Sequence, residues 1–310
     1  MRLLRSFIAR VTSPGGRIGA PATRAPREAD VTFNDPGDAP STGAPPSEIN
    51  QIVPQSARIY DYLLGGKDNY ECDRAVGDAL MRQLPALPVM VRAQRSFLAR
   101  AVRYLIADAG VRQFLDIGTG IPAAENVHEV AQSLAPDARV LYVDNDPIVL
   151  AHARALTSST PEGATAFIQA DLRRPETILE HPLLAATLDH DLPVALMLIG
   201  ILHHVRDDDD PYGLVARLVD WLPTGSYVTI AGPGSDFDPA VMSAVAASAE
   251  QSGIPYVARS HEQTLRFLDG LQLVEPGLVP IQSWRPDVEG APDVYGWAGM
   301  ARKGARAQAG

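Results

Sequence analysis

The chain has 310 residues, 46% of them hydrophobic, and a formal net charge of −10. That is enough apolar material for a substantial core, while the excess of acid argues against a nucleic-acid groove as the main surface. No apolar run reaches membrane-crossing length, and the single cysteine, Cys72, excludes an intrachain disulfide and suits a reducing cytosol.

Residues 1–54 read as a poorly ordered tail. The stretch to Arg27 carries six arginines and no acid, and Pro, Gly, Ala, Ser and Thr dominate from Thr12 onward. Arg5 splits Leu3-Leu4 from Phe7-Ile8, so no signal-peptide core forms; residues 2–11 would at most make a short surface-binding helix.

Residues 55–110 read as a helical cap followed by the first core helix. Ser56 opens a short helix with Ile59, Tyr62 and Leu63 on one face, and Gly65-Gly66 breaks it. Arg58, Tyr60, Asp61, Tyr62, Lys67, Asn69 and Tyr70 crowd this segment. Such density either caps and packs a helix pair or forms a lid over cofactor and substrate, and the lid is the reading carried forward. Residues 91–109 form a helix with Val91, Phe97, Leu98, Ala101, Val102 and Leu105 in one stripe. Arg92 and Arg95 either face water or face a pocket, and Arg95 joins the substrate candidates.

Residues 111–301 carry the core. Phe114-Leu115-Asp116-Ile117 is a buried strand that runs into Gly118-Thr119-Gly120-Ile121-Pro122, with a helix expected from about Ala123. A strand, a glycine turn and a helix N-terminus make a nucleotide-type pocket. One strand–helix–strand unit later, Val140-Leu141-Tyr142-Val143 ends in Asp144-Asn145, where a carboxylate can take both ribose hydroxyls. The run Gly118 to Ala123 fits the loose dinucleotide pattern, which alone is weak. Asp116, just before the glycines, favours S-adenosylmethionine, whose amino group and sulfonium it complements.

Strands follow at 164–169, 193–199 and 225–231. The fourth strand leads to His203 and His204 at the expected pocket mouth, where a neutral imidazole could take a proton as a methyl arrives, or merely form a wall. Asp207, Asp208, Asp209 and Asp210 suit a helix N-terminus better than a metal, and we expect no metal site. They would also make a negative mouth suited to cationic substrates, unless they simply face water. Two closing strands, 271–281 and 294–301, have no helix between them and so make a hairpin; residues 302–310 read as a tail.

Two resemblances rest on these residues. The acid-x-Gly-x-Gly turn resembles the first motif of class I S-adenosylmethionine-dependent methyltransferases, with Pro122 where the last glycine usually stands. The stretches ARIYDYLLGGKDNY, VRAQRSFLARAVRYL and FLDIGTGIPAAENVHEVAQ closely resemble an actinobacterial S-adenosyl methyltransferase family once catalogued as a domain of unknown function. The resemblance covers residue 55 to the end and supplies no substrate. It implies a Rossmann-like α/β fold: a seven-stranded, mostly parallel sheet with an antiparallel last strand, plus a helical cap. It implies S-adenosylmethionine as cofactor and S-adenosylhomocysteine as product, with Asp116, Gly118 and Gly120 at the methionine end and Asp144 and Asn145 at the ribose. Asp171 and Leu172 would sit at the adenine. The acceptor is expected to be a small molecule, with no membrane or nucleic-acid partner. A non-catalytic binder of S-adenosylmethionine, an NAD-dependent oxidoreductase and a nucleic-acid methyltransferase are the competing readings.

Overall fold

The computed structural model describes residues 50–156, 158–288, 290 and 294–305. Of the expected tails, 1–54 and 302–310, residues 1–49 with the possible short helix at 2–11, and residues 306–310, lie outside the described residues.

Three helices precede the sheet: α1 (Ser56–Leu64), α2 (Glu71–Gln83) and α3 (Leu87–Ala107). Gly65 stops α1 because it takes the left-handed conformation, φ 86°, and its N–H reaches the Tyr62 carbonyl. Strands and helices then alternate: β1 (Gln113–Ile117), α4 (Val127–Leu134), β2 (Arg139–Asp144), α5 (Pro147–Leu156) and β3 (Ala164–Gln169). Two short helices, α6 (Glu176–Leu179) and α7 (Pro182–Thr187), lead to β4 (Val194–Ile199), α8 (Pro211–Trp221) and β5 (Tyr227–Pro233). The chain closes with α9 (Pro239–Gln251), α10 (His261–Leu265), β6 (Gln272–Leu273), β7 (Val279–Pro280) and β8 (Gly296–Arg302).

The sheet runs β3-β2-β1-β4-β5-β8-β6, with β7 also on β8. The first five strands are parallel; β8 is antiparallel to β5, β6 and β7. The closing hairpin is therefore present, but the strand expected at 271–281 is two short pieces. Glu275-Pro276-Gly277 lies between them, and a proline offers the ladder no N–H.

Strand alternation builds a core on each face. Phe114, Val140, Tyr142 and Met197 face α3 and α4, while Leu115, Leu141, Leu196 and Leu198 join Leu214 and Leu218 of α8 on the other face. Arg100 of α3 ties the C-terminal segment to this core: its Nε donates to the Trp284 carbonyl and its Nη2 to the Ile281 carbonyl, each at 2.9 Å. The fully buried Trp284 ring meets Phe97 edge-on at 5.3 Å. The α1–α2 pair packs on α3 and α9, above the carboxyl ends of β1, β2 and β4.

Candidate active site

β1 ends at Ile117 and turns at Gly118, whose φ of 79° suits a residue without a side chain. Space demands glycine there as well, since a Cβ would lie 2.7 Å from the Ile201 side chain. The Gly118 N–H donates to the Val143 carbonyl at 2.8 Å, and the Gly120 N–H donates to Asp144 Oδ2 at 2.9 Å. Asp144 Oδ1 accepts from the Asp146 N–H at 2.9 Å. The tip of β2 thus holds the glycine turn of β1.

The helix expected at Ala123 starts instead at Val127. Asn126 stands at its N-terminus, with its N–H donating to Glu129 Oε2 at 2.8 Å, a local stop that outweighs the glycine pattern. The intervening loop is held by Arg95, whose Nη2 donates to the Ala124 carbonyl at 2.8 Å and the Glu125 carbonyl at 3.0 Å. The helix dipole therefore does not begin directly behind Gly120.

Tyr60, Arg95, Asp116, Gly118, Asp144 and His204 line one cavity. Asp116 is buried, and that burial pushes its carboxyl up to about 7, with Arg95 opposing the rise and Asp144 adding to it. Burial also raises Asp144, against the amide hydrogen bonds it accepts. Tyr60 donates to the Val91 carbonyl at 3.1 Å and is pushed up to about 12 by burial, so it stays a phenol. The Arg95 Nε is buried and has no hydrogen-bond partner among the described residues.

An adjoining cavity shares Asn145 with the first and adds Asp171 and Leu172. Burial would raise the Asp171 carboxyl, but hydrogen bonds and charge from Arg173 hold it below its usual range. Asn145 Nδ2 lies 3.5 Å from Asp171 Oδ2.

His203 and His204 sit in a single 3-10 turn, Leu202–His204, just beyond β4. His204 Nδ1 is 2.8 Å from the Pro255 carbonyl. A carbonyl can only accept, so Nδ1 carries the proton and Nε2 carries the lone pair. The His203 ring lies 4.0 Å from that of His204, and its Nδ1 is buried without a partner among the described residues. Burial lowers both imidazoles; His204 and Arg259 lower His203 further, while the Pro255 bond works against the drop at His204.

None of the four aspartates Asp207 to Asp210 lines either cavity. Asp207 Oδ1 accepts from Arg259 Nη2 at 2.9 Å, and Asp210 Oδ1 accepts from the Gly213 N–H at 3.1 Å to cap α8. Among the described residues no group of three or more His, Cys, Asp or Glu is placed to hold a metal ion.

Of the cap residues singled out from sequence, Tyr60 and Arg95 reach the cavity. The others, Lys67 apart, are engaged within the cap. Arg58 Nε donates to Asp73 at 2.8 Å, with both side chains buried, and its Nη atoms reach the carbonyls of Asn50 and Val53. Asp73 also accepts from the N–H groups of Gln55 and Tyr70, both at 2.9 Å. Tyr70 lies 5.0 Å from the Arg58 guanidinium. Asp61 accepts from the Asp68 N–H and from Asn69 Nδ2, and Tyr62 donates to Asp78 at 2.7 Å. Lys67 is exposed on the turn. Gln55, Ser56 and Ile201, which carried no motif, line the cavity.

A parallel sheet closed by an antiparallel strand, with a glycine turn and two strand-end acids around one cavity, is the layout of the Rossmann-like methyltransferase fold. The chain belongs to the S-adenosyl methyltransferase family, which it matches over residues 42–304. A crystal structure of a DUF574 family protein from Streptomyces avermitilis is 48% identical, with a TM-score of 0.79 over 82% of this chain and 98% of that one. A candidate methyltransferase from Thermobifida fusca is 41% identical, with a TM-score of 0.77 over 84% of this chain and 99% of that one. No functionally curated protein matches the chain at a significant level. The cofactor of the family is S-adenosylmethionine. The cavity fits its amino-acid end, because an unpartnered Arg95 Nε and a buried Asp116 offer opposite charges to a carboxylate and an ammonium.

Proposed function

We propose that this protein transfers a methyl group from S-adenosylmethionine to a small-molecule acceptor. The observation that carries the reading is that Arg95 and Asp116 share one cavity with the Gly118–Gly120 turn. In this reading Arg95 takes the cofactor carboxylate and Asp116 its ammonium. Gly118 and Gly120 give the backbone close approach, and Asp144 accepts from the ribose hydroxyls with the lone pairs its amide partners leave free. Asn145, Asp171 and Leu172 form the adenine edge, with Arg173 holding the Asp171 carboxylate in place.

The bound cofactor supplies an electrophilic methyl on a sulfonium. The contribution of the protein is positioning for in-line displacement, in a site that the cap and Tyr60 screen from water. His203 and His204 stand at the end of β4, on the acceptor side of the cavity.

The test is calorimetric titration of the full chain with S-adenosylmethionine, S-adenosylhomocysteine and NAD. Micromolar binding of the first two and none of NAD is expected, followed by transfer of labelled methyl to a component of a small-molecule extract. Binding of NAD alone would overturn the cofactor assignment. Tight binding with no transfer to any acceptor would favour a non-catalytic binder.

A further inference from the structure

Beside the cofactor cavity, and sharing Ser56, Tyr60 and His204 with it, lies a second pocket between α1, α2 and α3. Its walls are Ile59, Leu63, Leu80, Met90, Val91 and Ile254, all buried core positions. Its polar groups are Ser56, Tyr60, Gln94, His203, His204 and Tyr256, and among the described residues no carboxylate, ammonium or guanidinium lines it.

Resting on the cofactor reading above, we infer that this pocket binds the acceptor as a neutral, mainly apolar hydroxyl compound, with His204 Nε2 accepting the hydroxyl proton. The hydrogen bond to Pro255 fixes the tautomer that leaves Nε2 unprotonated, and His204 lines both pockets. Burial keeps both imidazoles neutral at pH 7, so a charged acceptor would find no counter-ion and would lose its hydration on entry. Tyr60 does not compete for the role, since burial pushes its hydroxyl up to about 12 and keeps it a protonated phenol. On transfer the acceptor O–H bond breaks and its proton goes to Nε2. The oxygen pair bonds the arriving methyl, the carbon–sulfur pair stays on sulfur, and the positive charge lost there ends on the imidazolium. The pocket measures about 60 Å³, so a ring enters only as the flexible Met90 side chain gives way.

Met90 is therefore the reporter. The full chain, labelled with ¹³C-methyl methionine and saturated with S-adenosylhomocysteine, is titrated with 4-methylphenol, toluene, benzylammonium and benzoate. Failure of S-adenosylhomocysteine to bind would sink the cofactor reading before the acceptor is tested. With it bound, 4-methylphenol should shift the Met90 methyl and bind about fivefold tighter than toluene, the worth of one hydrogen bond. Benzylammonium and benzoate should leave Met90 unmoved at tenfold higher concentration. His204→Asn keeps a donor for Pro255 but lacks Nε2, so the preference for 4-methylphenol over toluene should vanish, and His204→Gln should restore part of it. A charged probe shifting Met90 as strongly as 4-methylphenol, or no shift with 4-methylphenol, would overturn the inference. So would a hydroxyl preference that survives His204→Asn.

Discussion

Asp144 Oδ2 accepts the Gly120 N–H at 2.9 Å, so the acid at the tip of β2 braces the glycine turn at the end of β1. One side chain thereby fixes the turn and faces the cavity that the turn helps to form. Asp144→Ala removes both contributions. We expect the fold to survive, because the core on both faces of the sheet is untouched. Affinity for S-adenosylmethionine should fall at least a hundredfold, about 3 kcal/mol, as expected when a charged hydrogen-bond acceptor and its support are lost together. Calorimetry alongside a far-ultraviolet spectrum decides this; unchanged affinity would remove Asp144 from the site.

Asp116 predicts two opposite pH dependences. Its folded value of about 7 lies far above the ordinary value near 3.9 of an unfolded aspartate. Between those values the folded chain holds a proton that the unfolded chain has released. The contribution of this group to stability should therefore fall as pH rises from about 4 to about 7. Cofactor binding runs the other way, because an ammonium needs the carboxylate. Affinity should rise about tenfold per pH unit up to about pH 7 and level off above it, with a proton released on binding at pH 6. Calorimetry in buffers of differing ionisation heat measures that proton. Arg95→Met removes the charge that opposes the rise, so the midpoint should move higher still. A flat affinity profile from pH 5.5 to 8 would show that Asp116 does not meet the ammonium.

The sheet was legible because parallel strands buried on both faces read as unbroken apolar runs, as Val194 to Ile199 does. The start of α4 was misread because the glycine pattern pointed to Ala123. The pair Asn126 and Glu129, spaced as a helix start requires, was the better local signal. The crowding of polar residues in the cap was visible, but its use was not. Which acid would bury itself against Arg58 depends on how α1 and α2 meet, and spacing alone cannot say that. Gln55, Ser56 and Ile201 reach the cavity through tertiary placement, and their residue types carry no chemical signal.

The Arg58–Asp73 pair makes its own prediction. Both side chains are almost wholly buried, at 1% and 0% exposure. Removing one partner strands a charge in the cap, so Asp73→Ala should cost about 3–5 kcal/mol. An apolar pair, Arg58→Met with Asp73→Leu, removes the stranded charge but orphans the Gln55 and Tyr70 N–H groups and the Asn50 and Val53 carbonyls, so it should lose less than its two single losses added and still fall short of the native stability. Urea unfolding followed by fluorescence measures both. A double-variant loss equal to the sum of the Arg58→Met and Asp73→Leu single losses would mean that the two side chains are not coupled.

Gly118 separates two costs that usually come together. Its φ of 79° disfavours any side chain, and a Cβ would also press on Ile201 at 2.7 Å. Gly118→Ala should therefore destabilise by about 1–2 kcal/mol for the left-handed backbone, plus a clash term of similar size. Pairing it with Ile201→Gly, which removes the Ile201 Cβ as well as the atoms beyond it, removes the clash and leaves the backbone cost. Measured against Ile201→Gly alone, the Gly118→Ala substitution should then cost only the backbone share. Cofactor affinity should drop in the single Gly118→Ala variant, because the turn that approaches the ligand has been displaced. If the double variant shows the full single-mutant loss, Ile201 is not the obstacle and the backbone conformation alone demands glycine.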